Sequence, residues 1–242
     1  EQSQLYDRVN LSVAWDHQSV IDGVRVPSYA CPSDSAAGRI RSPGRGRPRL
    51  APTTYGFNFG TWFVYDPQTN RGGDGMFYPN SFLRFRDCLD GTSTTLMAAE
   101  VRAWTPYRRN GGPTTTTAPE NILQAETVIA SGGQFKNTGH TEWPDGRVHH
   151  TGFTTVMPPG TNTTVSDGTR EYDDGDFNSW QEGKNGVLGN PSFAIITSRS
   201  YHNGLVHATM VDGSVRSYTD STDQNLWRSL GTRHGSEIVT LD

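Results

Sequence analysis

Long apolar runs are missing from this 242-residue chain. No stretch approaches the roughly 18 consecutive apolar residues that mark a membrane-spanning helix, and no leader pattern opens the chain. It begins "EQSQLYDRVN", which reads as mid-domain sequence, so an upstream targeting or anchoring segment is expected. Cysteine is scarce. Cys31 and Cys88 form no CxxC or zinc-type spacing, which leaves a disulfide, if the domain is exported, or two separate buried thiols. Positive charge is not in excess, with 21 Lys and Arg against 25 Asp and Glu and a net charge of −4. That argues against a global field recruiting nucleic acid. There is no Gly-x-Ser-x-Gly elbow, and neither cysteine has a histidine nearby in sequence. The Asp90-Gly91-Thr92-Ser93-Thr94 turn lacks the Gly-Lys pair of a phosphate loop and reads as a turn entering a buried strand.

What is abundant is turn chemistry. The 27 glycines and 14 prolines predict many turns and few long helices. The length fits one globular domain over 1–242. "VIDGVRVPSYACPSD" reads as a strand running into a Cys-Pro turn, and "YGFNFGTWFVYD", 55–66, as a strand with aromatics on both faces. "TTLMAAEVRAW" and "SFAIITSRS" read as strands, while 111–122 and 172–186 read as loops. In "STDQNLWRSLGTRHG", Ser221 or Thr222 caps a short helix with Leu226, Trp227 and Leu230 on one stripe and Gly231 at its end.

The stretch "SYHNGLVHATMVDGSVRSYTD", 200–220, is the most legible. Asp212-Gly213 between alternating apolar residues predicts a two-residue hairpin turn. Met210 then faces Val215 and His207 faces Tyr218, with Val206, Ala208, Met210 and Val215 on the core side. His202 stands before the paired region, where hydrogen bonding to backbone is its expected role.

His202, separated by nine residues from Asp212-Gly213, then "SVRSYTDSTD" and "LWRSLGTRHGSE", resembles the C-terminal signature of the DUF1559 family of prepilin-like proteins, of the kind expanded in planctomycetes. "LYDRVN", "YACPSD", "FRDCLDGTSTTLMAAE", "SGGQFKNTGHTEWPDGRVHHTGFTTVMPPGT" and "ITSRSYHNG" resemble it too, in family order. The resemblance implies an α+β, mainly β fold: a pilin-like antiparallel sheet with long loop insertions and a short C-terminal helix. It also implies export to the cell surface or periplasm and a membrane anchor only through a missing N-terminal helix. The expected partners are copies of the chain or related pilin-like subunits. The role implied is a non-catalytic subunit of a pilus-like or pseudopilus-like filament or envelope assembly. A module binding polysaccharide or another extracellular solute is the alternative.

Several residue sets could carry chemistry. In "GHTEWPDGRVHHTG", a three-residue hairpin loop at Pro144-Asp145-Gly146 would put His140, Glu142 and His150 on one face, a divalent-metal set. A two-residue loop would group His140 and Glu142 with His149 instead. The competing reading is a polar, cross-strand-bonded face. Asp173, Asp174 and Asp176 form an acidic turn that could hold calcium, though without the full EF-hand spacing. Arg39, Arg41, Arg45, Arg47 and Arg49 crowd one loop, either solvated or an acidic-polymer contact. Trp143, Trp180 and Trp62, with Trp15 and Trp104, are candidate sugar-stacking platforms against the alternative of core burial.

Overall fold

A turn at Gly60 decides the architecture. Its φ is +95°, and a Cβ there would lie 1.9 Å from Asp74 Oδ1. Thr61 donates its N–H and its hydroxyl to the same carboxylate. In this computed structural model, which describes residues 2–186 and 189–236, the stretch 55–66 is therefore two strands in two sheets, where one strand was expected. Glu237, last residue of the C-terminal motif, lies outside the described residues.

In chain order the elements are α1 (Ser3–Tyr6), β1 (Tyr55–Asn58), β2 (Phe63–Asp66), β3 (Arg71–Gly72), β4 (Leu96–Glu100), β5 (Thr105–Arg109), α2 (Ile122–Ser131), β6 (Gln134–Gly139), α3 (Val148–Thr151), β7 (Gly152–Phe153), β8 (Val165–Ser166), β9 (Glu171–Tyr172), β10 (Asp176–Asn178), β11 (Ser192–Ile195), β12 (Leu205–Met210), β13 (Val215–Thr219) and α4 (Gln224–Gly231). One sheet has the order β13-β12-β4-β1-β7 and a second β3-β2-β11-β10-β5-β6; β8 and β9 pair by themselves. The fold is a sheet-rich α+β arrangement with a short C-terminal helix. Its sheets are mixed: β1 runs parallel to β7, and β5 to β10.

Two apolar clusters form the core, and the first joins the sheets, since Val64 and Tyr65 of β2 and Ala194 of β11 belong to it. In the first, Leu96, Ala99, Val206, Ala208 and Met210 pack with Phe153, Trp227 and Leu230. Trp227 of α4 is fully buried, its ring 5.2 Å from Tyr218 and 6.1 Å from Phe153. In the second, Ala125, Val128 and Ile129 of α2 cover Trp62, Phe177, Phe193 and Ile195. The sequence patterns described above do not include α2. Asn121, which accepts from Gln124 N–H at 3.0 Å, was its available signal.

Several local expectations are corrected. The 200–220 hairpin forms, but one residue out of the expected register: Thr209 pairs Val215 and Val206 pairs Tyr218. Gly213, at φ +87°, follows a turn closed by its N–H to Met210 C=O, so the loop has three residues. The slip keeps Val206, Ala208 and Met210 buried and turns Val215 outward, 66% exposed. Residues 19–31 form short 3-10 turns at Ser19–Ile21 and Pro27–Tyr29 rather than a strand. The 172–186 stretch carries β10, held in by the buried Phe177. Asp223, not Ser221 or Thr222, caps α4 by accepting from Leu226 N–H at 2.9 Å. Ser221 and Thr222 bond back to Thr219 instead. The 140–150 segment is no hairpin: β6 ends, a turn at 142–145 follows, and His149 and His150 sit on α3.

Candidate functional site

The expected metal set at 140–150 comes only partly together. His140 adopts φ +54°, and its Nδ1 faces the His150 carbonyl at 3.3 Å, away from Glu142. Glu142, Asp145 and His150 do converge, with His150 Nε2 3.5 Å from Glu142 Oε1. Two guanidiniums occupy the carboxylates. Arg41 pairs with Glu142, and Arg147 pairs with Asp145 and also reaches Glu142 at 3.6 Å. Burial, then the charge of Arg147, holds His150 well below the usual histidine range; burial, opposed by the bond to the His150 carbonyl and helped by the charge of Arg199, pulls His140 down to about 3. His149 is likewise neutral, its Nδ1 2.8 Å from Asn178 Nδ2. A divalent cation would have to sit against Arg41 and Arg147. This is a buried ion-pair network that ties the 41–50 loop to α3.

The acidic turn is spent in the same way. Asp173 is exposed. Asp174 bonds Arg102 at 2.6 Å and lies 3.4 Å from Arg199 Nε, while Asp176 holds Arg199 at 2.8 Å. These arginines already supply the positive charge a calcium ion would bring. Most of the arginine loop is internally engaged as well. Arg39 stacks 3.9 Å from the Trp104 ring centroid, Arg41 holds Glu142, Arg47 reaches Asp16 and Arg49 holds Asp22. Among the tryptophans, Trp62 is in the core and presents no face to a ligand. Trp180 is half-buried against Gly112. Trp143 is half-buried, with Nε1 donating to Val24 C=O and its ring 6.0 Å from Tyr29.

Trp143 and Pro144 stand between two surface clefts. The first, of about 380 Å³, is walled by Leu5, Tyr6, Leu11, Val13, Trp15 and Tyr29. The second, of about 330 Å³, is walled by Phe57, Phe77, Tyr78 and Pro79. Together they make a continuous apolar track on which Leu11 is 73% and Tyr6 63% exposed.

The most concentrated chemistry lies where no local motif pointed. Cys31 follows the 3-10 turn at 27–29, Glu100 ends β4, and His202 precedes β12. Their ligand atoms lie within 4.8 Å of one another. His202 Nε2 is 3.0 Å from Glu100 Oε1 and 3.8 Å from Cys31 Sγ. The expected bond from His202 to backbone gives way to side-chain partners: its ring meets Glu100 and Cys31, and its own backbone N–H donates to Ser200 Oγ at 2.9 Å. The other carboxylate oxygen of Glu100 accepts from His207 N–H at 2.8 Å. Cys31 N–H donates to Thr54 Oγ1 at 2.6 Å. The group opens into a cleft of about 410 Å³ shared with Tyr55, His207 and Thr209. Burial, followed by the neighbouring Cys31 and Glu100, pushes the Tyr55 phenol up. Cys31 and Cys88 are both free, so they form no disulfide.

A family model described as "Protein of unknown function (DUF1559)" matches residues 1–225. The chain belongs to this family. No curated protein and no solved structure matches it. Three of the stretches that carry the DUF1559 resemblance, "YACPSD", "TTLMAAE" and "ITSRSYHNG", supply Cys31, Glu100 and His202. Among the described residues no helix of this DUF1559 chain is long and apolar enough to cross a membrane.

Proposed function

We propose that this chain is a non-catalytic subunit of an exported, cell-surface assembly of the pilus or pseudopilus kind, as its resemblance to planctomycete-type prepilin-like proteins with the His-x9-Asp-Gly signature suggests. The observation that carries the reading is the apolar track through Trp143 and Pro144. Exposed apolar side chains gathered on one surface, as Tyr6 and Leu11 are here, are the kind of feature that marks association sites. Its partner is a second copy or a related subunit. The non-catalytic part has its own support. Glu100 and Cys31 meet the same nitrogen of His202, whereas a nucleophile relay places the carboxylate on the other ring nitrogen. The engaged arginines argue against a nucleic-acid partner.

Immunogold electron microscopy of intact source cells tests this reading. Periodic labelling along fibres is the expected result, and Leu11→Asp should reduce incorporation without unfolding the domain. Diffuse envelope labelling without fibres would overturn it. A second reading is favoured by one feature of the same track. Trp15, Tyr29 and Trp143 wall one cleft, an arrangement on which sugar C–H faces could stack. Saturable retention on a glycan array, lost in Trp143→Ala, would support a polysaccharide-binding module.

A further inference from the structure

Cys31, Glu100 and His202 present a thiol, a carboxylate and an imidazole to one point. His202 Nε2 carries either one proton or one lone pair, yet two partners address it, Glu100 Oε1 at 3.0 Å and Cys31 Sγ at 3.8 Å. Glu100 is buried, and among the described residues no Arg or Lys pairs with it. The other clustered acids differ: Glu142, Asp145 and Asp176 each face a guanidinium. A buried carboxylate whose side-chain partners are a histidine and a thiol at the mouth of a cleft lacks firm charge compensation.

We propose that Cys31, Glu100 and His202 bind a zinc-class divalent cation, with the fourth position open to the cleft. Zinc–sulfur, zinc–nitrogen and zinc–oxygen bonds of about 2.3, 2.0 and 2.1 Å in a tetrahedron place sulfur about 3.5 Å and oxygen about 3.4 Å from the nitrogen. The separations here, 3.8 and 3.0 Å, lie within a few tenths of an ångström of those values. The charges close too: thiolate and carboxylate neutralise a dication while the imidazole stays neutral, with the thiol proton released to solvent. Sulfur and nitrogen donors favour zinc over calcium or magnesium. The ligands are held from behind. His207 N–H fixes Glu100 through its second oxygen, and Thr54 fixes the Cys31 backbone. The cleft of about 410 Å³, with Tyr55 and His207 on its walls, leaves room for water or an exogenous donor. This inference is independent of whether the chain assembles into a filament.

The test uses reduced, chelator-treated protein titrated with zinc by calorimetry and with cobalt by absorption. One equivalent should bind. Cobalt should give a sulfur-to-metal charge-transfer band and the d–d bands of a four-coordinate ion. Cys31→Ser and His202→Gln should each weaken binding by more than about 100-fold, beyond what losing a merely supporting residue costs. Alkylation of the unmutated protein followed by mass spectrometry gives a readout that needs no variant to fold. Zinc should protect Cys31 while leaving Cys88, whose thiol donates to Gly91 C=O, unchanged. Zinc binding that survives Cys31→Ser, or unchanged Cys31 alkylation in the presence of zinc, would overturn the proposal and leave a plain Glu100–His202 ion pair.

Discussion

Replacing Arg199 by Met should be among the most damaging single changes, and its effect should depend on pH in a defined direction. Arg199 is 1% exposed. It bonds Asp176 at 2.8 Å and Thr161 C=O at 3.0 Å, and Nε lies 3.4 Å from Asp174. Methionine fills much of the same volume, so the cavity contribution is small. What remains is Asp176 buried without its partner. Removing one member of a buried pair costs about 3–5 kcal/mol. Burial, opposed by Arg199, already pushes Asp176 up to about 6. Without Arg199 its folded value must rise further above its unfolded value near 3.8. A carboxyl raised in the folded state adds stability at low pH and loses it as pH rises through the folded value. Each further unit of upward shift should therefore make the deficit up to about 1.4 kcal/mol smaller at pH 5 than at pH 8. Urea unfolding of both proteins at the two pH values, compared as variant minus parent, measures this. A deficit under about 1 kcal/mol at pH 8, or one that grows on acidification, would refute the assignment of Asp176 as the stranded charge. The Arg199→Met/Asp176→Asn double variant should recover much of the loss.

Other perturbations follow from single features. His140 is pulled down to about 3 in the folded state by burial. A depressed histidine destabilises as pH falls below its unfolded value near 6.5, so its contribution should drop by about 2 kcal/mol between pH 7 and pH 5. His140→Gln should lose that slope in urea titrations at the two pH values. Trp227→Ala empties a fully buried position between Phe153 and Tyr218 and should cost about 3–5 kcal/mol by thermal unfolding. Asp223→Ala removes the cap on Leu226 N–H and should cost about 1 kcal/mol. Gly213→Ala meets no atom within 4 Å, so its cost, about 1 kcal/mol, should come from the positive φ alone; Asn at 213 should cost less.

Local rules reached as far as local causes did. The alternation of Val206, Ala208 and Met210 named the buried face of β12, because a strand's period is a property of the strand itself. The Leu226, Trp227 and Leu230 stripe named α4 for the same reason. Errors arose where a choice between near-equal local options is made elsewhere in the chain. Asp212-Gly213 suits a two-residue turn or a three-residue turn with a bulge, and in the longer loop Val211 and Asp212 donate their N–H groups to Thr95 and Thr92 C=O, far away in sequence. Pro144-Asp145-Gly146 suggested a hairpin. Arg147 instead binds Asp145 and donates N–H to it, and Thr151 bonds Asp145 C=O, which closes a helical turn. Gly60 ends a strand only because Asp74 fills the space beside it.

The candidate site was hidden for a related reason. His202 is 171 residues from Cys31 and 102 from Glu100 in sequence, so no spacing rule joins them. The sequence pointed instead to acid- and histidine-rich segments at 140–150 and 173–176, which do hold clustered ligand types. A chain with only 33% apolar residues must bury polar ones, and each buried charge needs a partner. Arg41, Arg147, Arg102 and Arg199 are those partners, and they convert apparent metal sites into ion-pair networks. Asp34 is compensated differently, by the N–H groups of Ala36 and Ala103. Glu100 has one backbone N–H, a histidine and a thiol for company. A count of carboxylates and imidazoles therefore cannot locate a cation site in this fold. The discriminating feature is which clustered acid has no guanidinium, and of the two clusters with metal-ligand geometry among the described residues that acid is in the one holding Glu100.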